Sequence, residues 1–177
     1  MKMKRRIIIL AMSLICMVFM SACNSSGSVD SSTDAPDNKL TVSDTLSAEH
    51  FDFSILSVTQ SASVKSELGA EYTAAEGNVM VTVVFDAKNT SSETQNVANV
   101  NFNSYVDGEK VMISSVVGKV NGYMPLLGAV SSEKSFDGYA IWELPKDWKE
   151  LEFSYIDSLT GSESENVFVI SPSDATE

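Results

Sequence analysis

The chain has 177 residues, with 12 Lys and Arg against 24 Asp and Glu and a single His, for a formal net charge of −12 and a pI near 4.4. Hydrophobic residues at 44% and charged residues at 20% are ordinary for a globular protein and exclude wholesale disorder. The acidic balance argues against nucleic acid as a partner, because phosphate binding draws on Lys and Arg.

Lys2, Lys4, Arg5 and Arg6 make a short positive start, and Ile7 to Met20 follow as an apolar run broken only by Ser13. The run is short for a membrane span, which needs about 20 apolar residues, and reads as an export signal. Met20-Ser21-Ala22-Cys23 then resembles the lipobox of bacterial lipoproteins, with Met in place of the usual Leu. The resemblance implies a signal peptide over 1–22, a diacylglyceryl group on the Cys23 sulfur, and cleavage that leaves Cys23 first. It places the protein at the cell membrane, lipid-anchored on the extracytoplasmic face. Two acyl chains hold a protein stably where one does not, at about 0.8 kcal/mol per buried CH₂. Removing 1–22 takes away Cys16 and both arginines, leaving 8 Lys, no Arg and all 24 acidic residues, a charge of −16. No free thiol or disulfide then remains, and Cys-based metal sites are excluded.

Residues 23–47 are expected to form a flexible, lipid-tipped linker. The stretch NSSGSVDSSTDAPDN (24–38) holds one apolar residue besides its alanine, too little to offset the entropy of ordering. From Ala48 to residue 171 the pattern is of short β segments. Phe51, Phe53 and Ile55 alternate with Asp52 and Ser54, and Val79, Val81, Val83 and Phe85 repeat the period over Asn78 to Lys88. Val100 and Phe102 alternate with Asn99, Asn101 and Asn103, and Asp107-Gly108 is a hairpin turn before a returning strand at Lys110 to Ser114. Phe136 to Leu144 is ended by Pro145; Leu151 to Ile156 and Val167 to Ile170 complete seven segments before a tail at 172–177. Ser61 to Gly77 reads as a loop with a helical turn or two, from the i, i+4 spacing of Val64, Leu68 and Tyr72. Gly118 to Lys134 reads as a second long connection.

Strands with one apolar face and little helix to cover it call for a second sheet. The fold class is therefore all-β, an antiparallel two-sheet sandwich, with a core expected from Phe53, Ile55, Val81, Val83, Phe85, Phe102, Ile141 and Phe153.

FDFSILSV (51–58), NVMVTVVFDAKNTSSE (78–93), Asp107-Gly108, Leu127-Gly128 and GYAIWELPKDWKELEFSY (138–155) together resemble a family of small Ig-like domains on Gram-positive bacterial lipoproteins. That family is known as a domain of unknown function and is related in fold to secreted immunoprotective antigens. Leu127-Gly128 departs from the Pro-Gly that the family often carries there. The resemblance implies an Ig-like fold and an extracytoplasmic place, and no catalytic residues.

His50, the only histidine, has no Gly-x-Ser-x-Gly elbow to serve and reads as a plain surface residue. His50, Met80, Met112 and Met124 lack the close His-x-Met pairing of a copper site, and the methionines read as core filler. Asp107 and Glu109 with nearby carbonyls offer calcium at most a weak site, without an EF-hand pattern. No metal and no cofactor is expected. Tyr123, Tyr139 and Trp148 are the candidates for recognition, although Trp148, in its Pro-flanked turn, reads first as a residue tucked over the sandwich end. Trp142 reads as a packing residue.

The expected function is that of a non-enzymatic binding module meeting a protein or cell-wall partner through strand edges or end loops. The alternatives are a carboxylate-dependent hydrolase of wall glycans, with two carboxyl groups about 5–10 Å apart, and a solute- or ion-binding protein of a membrane transporter. Replacing Cys23 with Ala should release the protein into the medium or block its processing; fractionation that finds the variant still fully membrane-bound would exclude the lipid anchor.

Overall fold

A computed structural model of the chain describes residues 38–176. The export signal, the lipobox with Cys23 and most of the expected linker lie outside the described residues. In chain order the strands are β1 (Lys39–Leu40), β2 (Thr45–Ser47), β3 (Phe51–Ser61), β4 (Ser63–Lys65), β5 (Glu71–Thr73), β6 (Asn78–Asn89), β7 (Gln95–Ala98), β8 (Phe102–Val106), β9 (Glu109–Val111), β10 (Met124–Pro125), β11 (Leu127–Val130), β12 (Ser135–Pro145), β13 (Leu151–Tyr155) and β14 (Val167–Ile170).

They form two five-stranded sheets, ordered β1-β14-β13-β8-β9 and β10-β12-β6-β3-β2, with two-stranded ribbons β11-β7 and β4-β5 beside them. The sheets are antiparallel except at two edges, where β1 pairs with β14 and β10 with β12 in parallel. This is the β-sandwich that the strand periodicity predicts. Its inner faces meet through Phe51, Phe53, Phe85, Phe102, Trp142, Phe153, Tyr155 and Phe168, all buried. Phe53 and Tyr155 meet tilted at 4.5 Å between ring centroids, and Trp142 and Phe153 stack at 5.2 Å, so rings from both sheets interlock.

The period-two pattern of β3 is interrupted once. The register with β6 shifts between Ile55 and Ser57, leaving Leu56 half exposed and returning Val58 to the inner face. A bulge of this kind lets one strand keep its apolar set inward past a parity change. The β8–β9 hairpin turns through Asp107 (φ 48°) and Gly108 (φ 84°), both left-handed, as a two-residue turn with Asp-Gly requires. Gly138 on β12 is needed for close approach: a Cβ there would lie 2.6 Å from the Cα of Leu126.

β6 is buried on both faces over Met80–Phe85. Its outward residues Met80 and Val84 join Val64, Val116, Val120, Tyr139 and Ile141 in a second cluster on the outside of the sheet. Ile141, expected in the main core, belongs to this outer cluster instead. The cover is made by β4 and β5 and by residues 115–123. Ser61 to Gly77 is thus no helical turn: Val64 and Tyr72 are cross-strand partners in a small hairpin. Their eight-residue separation suits two strands facing one surface, and Gly69 at φ 87° lies in the connecting turn.

Two expected boundaries move. The linker expected to run to residue 47 gives way to sandwich at Lys39, whose Nζ lies 2.7 Å from Glu150 and 2.6 Å from Glu152, while Leu46 is fully buried in the main core. Three short polar-flanked residues hid that strand. The expected tail at 172–177 also packs: Thr176 N–H donates to Val58 O, and Gln60 N–H to Thr176 O. Leu46→Ala should lower unfolding free energy by about 2–5 kcal/mol, as for other buried leucines. A urea midpoint unchanged by the substitution would return residues 39–47 to the linker.

Candidate functional site

The most distinctive surface lies where β9 leaves β8. The two strands pair only from Val106↔Glu109 to Ser104↔Val111. Beyond Val111 the returning chain crosses to the other sheet, where Ile113 bridges Trp142 and Ser114 N–H donates to Ile141 O. β8 on its side is preceded by a tight 3-10 turn, Asn99–Asn101, closed by Phe102 N–H on Asn99 O. That turn replaces the strand expected from the Val100–Phe102 alternation. It keeps Phe102 in the core and turns Val100 out to 75% exposure.

The divergence opens a groove. One part, about 250 Å³, runs between Val100–Asn103 and Lys110–Ile113, with Ile156 beside it. A second part, about 410 Å³, shares Val100 and Ile113 and continues past Ser114–Gly118 to Met124, Pro125 and Leu127. Among the described residues eight large hydrophobic side chains are exposed, and five of them (Val100, Met112, Val117, Met124 and Leu127) line this groove. Apolar exposure concentrated in one place marks an interaction surface, whereas scattered single residues do not.

Polar groups punctuate the groove. Asn99, Asn101 and Asn103 each spend an Nδ2 donor, on Tyr139 O, Tyr155 Oη and Glu163 Oε1 respectively. Their carbonyl oxygens are left as acceptors. Hydrogen bonds from Asn103 and from Ser154 hold the Glu163 carboxyl below its usual range, with help from the Lys110 charge.

A second constellation ties the loop between β13 and β14 to the turn before β3. Asp157, 4% exposed, accepts a 2.7 Å hydrogen bond from His50 Nδ1. Its other oxygen accepts from the N–H groups of Leu159 and Thr160. Burial pushes this carboxyl upward, but the His50 bond and the two backbone donors outweigh it and hold it below the ordinary value. His50, read from sequence as a plain surface residue, is therefore the clamp on a buried carboxylate. A partner 107 residues away leaves no sequence signal.

The residues singled out for recognition lie mostly inside. Trp148 is 2% exposed, in the main core, with Nε1 donating to Gln60 Oε1 at 3.4 Å. Tyr139 is 1% exposed under the outer cover; its hydroxyl donates to Gly118 O at 2.7 Å, and burial pushes its pKa up to about 12. Tyr123 is half-buried against the same cluster. Trp148 and Tyr139 thus offer no face to a partner. Asp107, weighed for calcium, accepts the N–H groups of Lys149 and Glu150 and caps the turn that carries Trp148. Met80 is buried in the outer cluster while Met112 and Met124 sit on the groove, and no group of three His, Cys, Asp or Glu suited to a metal occurs among the described residues. Asp86 and Asp137 face each other across β6 and β12, and burial and the Asp86 charge raise the Asp137 carboxyl. Neither lines the groove.

Residues 40–166 match the model of the family described as Domain of unknown function (DUF4352), and the chain belongs to that family. Among solved structures it is similar to ycdA of Bacillus subtilis subsp. subtilis str. 168, a candidate lipoprotein, at a TM-score of 0.57 and 19% identity. That match covers 73% of this chain and spans only 39% of ycdA. The yjhA protein of Bacillus subtilis gives 0.56 at 15% identity, covering 74% of this chain and 97% of its own. An uncharacterized β-sandwich protein of Clostridium difficile gives 0.47 at 14% identity, covering 77% and 94%. At these identities the likeness to ycdA and yjhA is one of fold. No curated protein matches the chain.

A carboxyl that titrates lower in the folded than in the unfolded chain, whose value is about 3.9, adds stability that is present above that value and lost as pH falls through the folded one. Asp157→Asn should therefore flatten the acid limb of stability. Urea midpoints measured from pH 6 to pH 2.5 should fall less steeply in the variant, the remaining slope coming from carboxyls such as Asp44, Glu143 and Glu163 that are also held low. Parallel limbs would remove Asp157 from the account.

Proposed function

We propose that this family member is a lipid-anchored binding module on the extracytoplasmic face of the membrane, and that the groove beside Asn99–Asn103 is its contact surface. One observation carries the reading: five of the eight exposed large hydrophobics among the described residues line a single groove. Leaving them in water has a cost of about 25 cal/mol per Å² of apolar area that a partner would cover. The Met20-Ser21-Ala22-Cys23 stretch supports the anchor, and the acidic mature chain suits a domain kept soluble beside other surfaces.

The groove is built from rigid parts. Its floor includes Phe102, packed in the aromatic core, and its far wall is pinned by the Ile113–Trp142 bridge. A surface held this way binds without reordering, which spares affinity.

A photo-cross-linking side chain placed at Val100 or Leu127 in living cells should yield one defined adduct, identified by mass spectrometry. The same probe at Leu159, equally exposed but outside the groove, should not. Equal adduct patterns from all three positions would remove the groove from the function.

A further inference from the structure

We infer that the groove takes an extended polypeptide segment in which basic and apolar residues alternate; this rests on the groove being the contact surface. The choice of occupant comes from what the groove presents and from the charge around it. Its walls are apolar, from Val100, Met112, Val117, Met124 and Leu127. Its polar lining includes the side-chain amides of Asn99, Asn101 and Asn103, each with one Nδ2 hydrogen spent within the protein and its Oδ1 left as an acceptor.

Charge points the same way. Lys110 is the one cation lining the groove, and it lies within the field of the Glu163 carboxylate, which is held in its ionised form. The mature chain around it, with 8 Lys, no Arg and 24 acidic residues, attracts cations and repels anionic surfaces over a Debye length of roughly 8 Å. An anionic bilayer is therefore a poor occupant despite the apolar walls. A donor-rich, positively charged chain complements both the acceptors and the field.

An extended segment fits the shape. Asn99 to Asn103 spans at most about 11 Å, two steps at the roughly 2.0 Å rise of the 3-10 turn and two at about 3.3 Å, room for about three residues of a strand laid alongside. Side chains of such a strand alternate between faces. Apolar ones can settle against Val100, Met112 and Leu127 while basic ones reach the asparagine carbonyls and Glu163. The place where β9 leaves β8 supplies the opening such a strand would enter.

The test uses the full chain in neutral nanodiscs with methyl-labelled methionine. Met112 and Met124 report on the groove, and the buried Met80 serves as an internal control. Titration with the peptide acetyl-(Lys-Val)₄-amide should move Met112 and Met124 saturably and leave Met80 in place. Val100→Lys with Leu127→Lys should weaken that binding about tenfold or more. Both positions are exposed, and an unchanged urea midpoint would show that the variant folds. Acetyl-(Glu-Val)₄-amide should bind far more weakly. If the acidic peptide binds as well as the basic one, or if phosphatidylglycerol vesicles shift Met112 and Met124 where the basic peptide does not, the assignment of the occupant falls while the groove remains a contact surface. Silence at both methionines with every probe, beside a specific adduct from Val100, also rejects the basic segment alone. Silence together with no adduct rejects the groove as well.

Discussion

Phe102 is the residue on which this molecule turns. Its ring lies within 6.3 Å of five others, Phe53, Phe85, Trp142, Phe153 and Tyr155, drawn from both sheets. The two cysteines of the chain, Cys16 and Cys23, precede the sandwich, so no disulfide staples the sheets. Interlocked rings must do that work, and edge-to-face and offset contacts of this kind add about 0.5–1.5 kcal/mol per pair beyond simple area burial. Holding Phe102 inward fixes the start of β8. The 3-10 turn before it then has to present Val100 to solvent, and the groove begins there. The groove is thus a consequence of how the core is closed.

The second constraint is β6. A strand buried on both faces cannot lie at the surface of a two-layer sandwich without cover. The chain supplies that cover twice, with the β4–β5 hairpin and with residues 115–123, and seals it by the Tyr139 hydroxyl on Gly118 O. To reach that position the segment after β9 must leave its partner early and cross between sheets. The crossing is what separates Met112 and Ile113 from Asn103. A covering need on one sheet therefore opens a cleft at the edge of the other.

The sequence made the long elements plain because each satisfies one local rule. β3, β6, β12 and β13 carry apolar alternation or unbroken apolar runs over strand length, and Asp107-Gly108 announces its turn. Seven of the eight expected core residues lie in or against the main core, with Ile141 in the outer cluster. What stayed hidden depends on partners far along the chain. β1 and β2 are two and three residues long and exist through Val167 and Phe53. Val64 and Tyr72 sit at a spacing that serves a helix or a hairpin, and only the surface of β6 chooses between them. Of the aromatic residues weighed for recognition, Trp148 packs inward as its Pro-flanked turn suggests, in a turn that Asp107 caps, while Tyr139 is buried under a cover that local sequence does not announce.

The groove itself had a trace in the sequence that composition could not interpret. Asn99, Asn101 and Asn103 stand at alternate positions, which in a regular strand would place three amides on one solvent face and mean nothing more. The 3-10 turn changes their meaning. Within it Asn99 and Asn101 donate Nδ2 to Tyr139 O and the Tyr155 hydroxyl, while Asn103, on β8, donates to Glu163, so three carbonyls are left as acceptors beside exposed apolar side chains. Fixed acceptors in an acidic domain discriminate by charge as well as by shape, since a like-charged or donor-poor partner would leave them unpaired at a cost of about 1–3 kcal/mol each when buried. In the proposed reading selectivity rests on anchoring that the core enforces, with Tyr155 contributing its ring to the sandwich and its hydroxyl to Asn101.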